Sequence, residues 1–386
     1  MNTKENKRRR KGDGSISRLP TGKYRGRISL DGQVHSCIGN SEAEVKKKLA
    51  ELRKSSIREE VIPERLLVGA FIERWMEEVK KPALKPASYD RLERTYEKQI
   101  KKSRVARCQL GNITPMDIQR LINELAKTLS YSSIKKVYEL LNSCFEYAVA
   151  SRQMSYNPVK AVQMPKEENL LKRTKIMPVF TPAELEKIEN LKKSNSEEIL
   201  SRMKYVFLFQ LLANTGCRIG EALALTWENV DLHSALIQIK QSIARVKNRS
   251  EQSEQKYQVL VTSVKTKQGN RTIPCNDKAM EALLWLKKYQ MEHGLESDFV
   301  ICNETGGPLS QHNLPRNLRV ILNAAEVPYK NIHAFRHAFA TNLIEAGADV
   351  KTVSYLMGHA SVKITMDTYV HASLDRAIDA VGKLGK

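Results

Sequence analysis

The sequence predicts a multidomain α+β protein: a small three-stranded sheet plus helix, then an all-α helical bundle, then a mainly α domain with a small antiparallel sheet. Three observations lead there. The chain has 386 residues, more than one ordinary domain holds, so two or three cores of normal size are expected. Short alternating segments dominate near the N-terminus, whereas apolar residues recur at helical spacing from Phe71-Ile72-Glu73-Arg74-Trp75-Met76 onward. Turn-forming and proline-flanked runs divide the chain between these patterns.

The elements follow in order. Residues 14–23 and Leu30-Asp31-Gly32-Gln33 read as turns around alternating segments such as residues 24–30. Ser41 with Glu44 forms a capping box before an apolar-periodic run at 45–52, which closes a first domain, 1–60. Residues 57–63 read as a linker, and a second domain, 65–164, carries helices predicted at 88–100, 115–125 and 132–150, with a turn at 110–114 that ends in a cap. Val137, Leu140, Leu141, Phe145 and Ala148 fall on one helical face and read as core. Residues 164–178 are charged and proline-flanked, a second linker. The third domain, 178–386, opens on Thr181-Pro182-Ala183-Glu184, a capped helix start. It continues with an apolar helix at 205–212, strands at 236–239 and 258–262, and Arg271-Thr272-Ile273-Pro274 closing a hairpin. No repeat or low-complexity block marks a solenoid.

Composition narrows the partners. With 64 Lys and Arg against 43 Asp and Glu, the formal charge is +21, which points to a polyanion, nucleic acid first. The charge is uneven: residues 1–30 hold ten basic side chains against Glu5 and Asp13. Among them Arg8, Arg9, Arg10, Lys23, Arg25 and Arg27 are candidate DNA contacts. No run of about 18 apolar residues spans a bilayer and no secretion signal opens the chain, so no membrane partner and a cytoplasmic, nucleoid-associated location are expected. The six cysteines are scattered without CxxC pairs, which indicates neither zinc nor disulfides.

Chemistry-bearing residues concentrate in the third domain. Arg218 follows the Thr215-Gly216 break and starts a new helix with Glu221 one turn on, a spacing that by itself describes a surface ion pair. His333 and Arg336, three apart, share a helical face opposite Phe335, Phe339 and Leu343. Gly358 suits a left-handed helix end that delivers His359, and Tyr369 lies ten residues beyond, after a short helix capped by Ser361. Thirteen tyrosines occur, so only its place relative to Gly358-His359 singles out Tyr369, with Tyr355 the second choice. A phenol attacks phosphorus only with cations over the non-bridging oxygens and proton transfer at both ends. Arginine suits the first role because its planar fork holds two oxygens.

This set resembles the tyrosine recombinase family, the integrases of phages and conjugative transposons, whose signature is an arginine, a lysine on a hairpin, HxxR, Gly-His and a tyrosine. The resemblance implies that Tyr369 is the nucleophile, that Arg218, braced by Glu221, and Arg336 clamp one phosphate, that His359 donates to a non-bridging oxygen, and that His333 shuttles the phenol proton. It also implies a lysine that protonates the leaving 5′-oxygen, assigned to Lys265 by its spacing to Ile273-Pro274, with Lys267 the alternative because hairpin registers shift. A 3′-phosphotyrosyl ester conserves the bond energy, so no cofactor, ATP or metal is expected. Family members act as homotetramers through a Holliday junction; here 1–60 would bind arm sites, while 65–164 and 178–386 clamp core sites of double-stranded DNA. An excisionase and a host DNA-bending protein are candidate partners. The tail from Val370, with Leu374, Ile378, Val381 and Leu384 at helical spacing, docks either on a neighbour or on its own domain. Rival readings are a non-enzymatic DNA-binding regulator and a type IB topoisomerase. His337 and His371 match no family position and receive no role.

Overall fold

The computed structural model describes residues 14–30, 33–56, 66–170, 178–250, 253–264 and 267–369. The chain divides into two compact units, Met1–Thr174 and Lys175–Lys386.

In the first unit, β1 (Ser15–Arg18), β2 (Tyr24–Leu30) and β3 (Gln33–Gly39) form an antiparallel sheet in that order. Helix α1 (Glu42–Ser56) buries Val45 and Leu49 against Ile28, with Ile16, Tyr24 and Cys37 around them. Alternation along β2 turns Arg25 and Arg27 to the other face, opposite Ile38 and Ser36 of β3. The Glu44 N–H donates to Ser41 Oγ, while the Glu44 carboxylate accepts from Asn40, one residue earlier than the predicted capping box requires.

The bundle in the same unit is built from α2 (Val68–Trp75), α3 (Pro86–Thr95), α4 (Pro115–Ala126) and α5 (Tyr131–Ala150). Thr114 and Asp117 cap α4 reciprocally. The five residues read as core on α5 are all buried, among Ile72, Trp75, Ile118 and Ile122. Instead of one regular helix over 88–100, α3 passes into a wider π-type turn at Tyr96–Ile100. That turn keeps Tyr96 and Ile100 buried, and the Tyr96 hydroxyl reaches the Gly69 carbonyl at 3.1 Å and Glu73 Oε1 at 3.0 Å.

In the second unit, α6 (Pro182–Asn190) starts at the Thr181–Glu184 capping box. Helix α7 (Met203–Thr215) is apolar around much of its circumference and runs through the core. A short α8 (Ile219–Leu223) follows, then β4 (Val230–Asp231), β5 (Leu236–Ile239), β6 (Gln241–Lys247), β7 (Tyr257–Ser263) and β8 (Arg271–Pro274). Helices α9 (Asp277–Glu292), α10 (Leu314–Ala324), α11 (His333–Glu345), α12 (Val350–Met357) and α13 (Val362–Tyr369) complete it. Phe335 of α11 stacks on Phe180 at 4.4 Å and on Phe209 at 5.3 Å, which fixes α11 against α7.

The strand pairing differs from the expected hairpin. Arg271–Pro274 pairs with β5, Ile237 opposite Ile273, whereas the hairpin joins β6 to β7, Ile243 opposite Val261. The β6 residues that turn inward, Ile243 and Val246, stand three apart, so the segment lacks the alternation that marks a strand in sequence. Among the described residues no helix is long and apolar enough to cross a membrane.

Candidate active site

Arg218 owes its position to a left-handed turn. Helix α7 ends at Gly216, φ 63°, where a Cβ would lie 2.3 Å from the Phe339 ring, so only glycine fits. The chain then enters α8 with Arg218 at its N-terminal boundary. Glu221, one turn in, accepts the Arg218 backbone N–H at 3.0 Å and its Nη1 at 2.8 Å. Glu221 Oε2, which accepts the Arg218 backbone N–H, also takes Nη2 of Arg271 at 2.8 Å, in a pair whose side chains are 0% and 4% exposed. Burial pushes the Glu221 carboxyl up, yet Arg271 and Arg218 together hold it below the usual carboxylate range. Arg271 also donates Nε to the Leu356 carbonyl at 2.7 Å and Nη1 to that of Gly269 at 3.1 Å. One buried guanidinium thus ties β8, the end of α12 and the Arg218 brace together.

Helix α11 supplies His333, Arg336 and His337 from one face. Arg336 is buried; Nη1 donates to the Gly216 carbonyl at 2.7 Å and Nη2 to that of Met357 at 2.5 Å. Burial and the nearby Arg218 push its guanidinium down to about 10, so it remains charged at neutral pH. Gly358 ends α12 at φ 61°, and a Cβ there would lie 2.8 Å from Arg271 Nη1. Its carbonyl accepts Arg218 Nη2 at 3.0 Å. His359 follows from this fixed turn, its Nδ1 hydrogen-bonded to Oγ1 of the buried Thr365 at 2.8 Å.

Tyr369 is the last residue of α13 rather than a residue beyond it. Its hydroxyl is hydrogen-bonded to Nδ1 of His337 at 2.7 Å, and its ring lies parallel to that of His359, centroids 6.4 Å apart. Burial pushes the phenol above its ordinary value, against the pull of Arg336 and Arg218, so at neutral pH it holds its proton. All three histidines go the other way. Desolvation and the neighbouring arginines lower His333; burial, His333 and Arg336 lower His337; burial and Arg336 lead the effects that push His359 down to about 4. The resting site therefore holds two cationic guanidiniums, neutral imidazoles and a protonated phenol.

Of the residues singled out in sequence, Arg218, Glu221, His333, Arg336, His359 and Tyr369 come together. Lys265 lies outside the described residues, as do Arg8, Arg9 and Arg10 and the tail from Val370. Lys267 opens the short turn Lys267–Gly269 whose last carbonyl Arg271 holds. Tyr355 is 56% exposed, and its hydroxyl accepts the Thr272 N–H at 3.4 Å. Lys23 and Arg27 are exposed on the sheet unit, with Arg25 partly so. Two residues of the site escaped the sequence reading. His337, set aside there, carries the contact to the phenol; its position four after His333, on the same face, was the available signal. Arg271 gave no signal, since a buried arginine that opens a strand reads like an exposed one.

A protonated phenol facing two fixed guanidiniums on a mainly α unit defines a DNA strand transferase of the tyrosine type. The chain belongs to the phage integrase family: the family's description, "Phage integrase family", matches residues 178–376, and "Phage integrase, N-terminal SAM-like domain" matches 67–126. It is a tyrosine recombinase, an enzyme of site-specific recombination. A tyrosine recombinase XerC-like protein of Caldanaerobacter subterraneus subsp. tengcongensis is 31% identical over 330 residues, 82% of each chain. The ICEBs1 integrase of Bacillus subtilis is 27% identical over 71% of each chain. The Tn1549 transposon integrase, solved in complex with circular intermediate DNA, shares the fold with a TM-score of 0.66 at 22% identity, over 83% of this chain and 100% of that one. The λ integrase tetramer bound to a Holliday junction matches with a TM-score of 0.57 at 16% identity, over 94% and 97%.

Proposed function

We propose that the chain is the integrase of a mobile element and that it cuts and rejoins DNA through a 3′-phosphotyrosyl intermediate. One observation carries the reading: the Tyr369 hydroxyl, bonded to a histidine, lies within the electrostatic reach of both Arg218 and Arg336. The phenolic oxygen attacks the scissile phosphorus and the bond to the 5′-oxygen breaks. Arg218, Arg336 and His359 face the non-bridging oxygens, where charge grows in the transition state, and His333 stands on the same face of α11. Lys265 protonates the departing 5′-oxygen. A 5′-hydroxyl from the partner duplex then reverses the step, and two rounds pass through a Holliday junction. The ester keeps the bond energy, so the reaction needs neither ATP nor a metal.

Domain 1–60 is assigned to arm sites, with Arg8, Arg9, Arg10, Lys23, Arg25 and Arg27 as phosphate and groove contacts; 65–164 and 178–386 clamp the core site. The net charge of +21 supports a polyanionic partner. A homotetramer is the working form, supported by the λ integrase tetramer of like fold, with an excisionase and a host DNA-bending protein as partners in the cytoplasm. The test is covalent trapping: nicked duplex carrying the element's end is incubated with the protein and any adduct mapped by mass spectrometry. An adduct on Tyr369 that is absent in Tyr369→Phe, followed by joining to a partner strand, is the expected result. Tight binding without an adduct would leave a DNA-binding regulator, and rejoining only to the original strand would leave a topoisomerase.

A further inference from the structure

We infer that His337 is a further catalytic residue of this reaction: its Nδ1 takes the proton of the Tyr369 hydroxyl as the phenolic oxygen closes on phosphorus. The inference rests on the recombinase reading above and deepens it, because the sequence reading gave this proton to His333, one helical turn earlier.

The geometry is direct. The Tyr369 hydroxyl and His337 Nδ1 are 2.7 Å apart, and the two rings meet at 5.4 Å between centroids, tilted by 48°. A general base must stand at hydrogen-bond distance from the proton it removes, and this contact meets that condition before DNA is present. His337 is half-buried on α11, and its ring lies against that of Tyr369. The groups around it are His333 and Arg336 on its own helix, His359 at the turn after α12, and Tyr369 on α13. Three of them are neutral in the resting site and one is a fixed cation, so the imidazole stays neutral; in the tautomer with its proton on Nε2, Nδ1 presents its lone pair to the phenol. His333, one turn earlier on the same face, is the more exposed of the two.

The step balances. The Tyr369 O–H bond breaks and its proton moves to Nδ1; the O–P bond forms; the P–O5′ bond breaks and the leaving oxygen collects its proton from the acid on the other side, assigned to Lys265. In the rejoining direction the imidazolium returns the proton to the departing phenolate. One histidine thus serves as base in cleavage and acid in ligation.

The experiment uses the full chain and two nicked duplexes of the element's end, one with an ordinary 5′-oxygen at the scissile phosphate and one with a bridging 5′-sulfur, a leaving group that needs no acid. His337→Ala and His337→Asn are compared, the second keeping a hydrogen-bonding group near the Nδ1 position without its basicity. The expected result is a rate of Tyr369 adduct formation lower by roughly 100-fold in both variants, on both duplexes, with unchanged duplex affinity and partial rescue of the alanine variant by added imidazole. A His337→Asn protein that cleaves at the wild-type rate, or a defect that the 5′-sulfur removes, would overturn the assignment while leaving the recombinase reading intact. A wild-type protein that forms no adduct would instead sink the recombinase reading and the base with it.

Discussion

Arg271 shows what a single side chain contributes to this site without facing it. Its guanidinium is fully buried, bonded to Glu221 and to the carbonyls of Leu356 and Gly269. Removing one partner of a buried pair leaves the other charge uncompensated, so Arg271→Met is expected to destabilise the protein by about 3–5 kcal/mol, read as a lowered urea midpoint. Arg271→Lys keeps the charge but cannot fork to three acceptors, so it should recover part of the stability while Tyr369 adduct formation stays slow. Wild-type stability in the methionine variant would show that the pair is dispensable. Sequence could not disclose this role, because burial of an arginine depends on Glu221, Gly269 and Leu356 meeting in space. Arg218, His333, Arg336, His359 and Tyr369 were named through the family resemblance: taken locally, Arg218 with Glu221 reads as a surface ion pair, and Tyr369 is set apart only by its ten-residue distance from His359.

At the scale of elements, local signals and long-range pairing part company. The helix caps at Thr114 and Thr181 were legible because their partners stand three residues away, and both form, as reciprocal capping boxes. Thr114→Ala is expected to cost about 1 kcal/mol, visible as amide hydrogen exchange in the first turn of α4 that is faster by roughly fivefold; unchanged exchange would mean that packing alone holds that helix end. By contrast, the pairing of Arg271–Pro274 with β5 spans the whole β6–β7 hairpin, and nothing local in Arg-Thr-Ile-Pro distinguishes that partner from β7. The wide turn at Tyr96–Ile100 was equally hidden, since it answers to a contact with Gly69 and Glu73 on another helix.

For the molecule as a whole, the site ties stability to pH. His333, His337 and His359 all have folded values below the ordinary 6.5, so the unfolded chain binds more protons than the folded one over that range. Their contribution is complete above about pH 6.5 and is lost as pH falls toward the folded values, about 4 for His359. Glu221 acts in the same direction lower down: its carboxyl is held below 4.5, so the stability it lends is lost only as pH falls below that value. Thermal unfolding should therefore drop in midpoint from pH 7.5 to pH 5, and His359→Gln should flatten that slope. A midpoint that holds level or rises over this interval would contradict the neutral-histidine site.

The protein oxygens that receive Arg218 and Arg336 have a further consequence for how DNA is met. Each guanidinium carries five N–H groups, and each directs one Nη1 and one Nη2 hydrogen to the protein: Arg218 to Glu221 and Gly358, Arg336 to Gly216 and Met357. The anchoring leaves further N–H groups on each fork, already aimed and already rid of the rotamer freedom that a loose arginine surrenders when it closes on a ligand. The arriving phosphate completes a coordination shell that the peptide chain has half built, and the ordering entropy was settled when the protein folded.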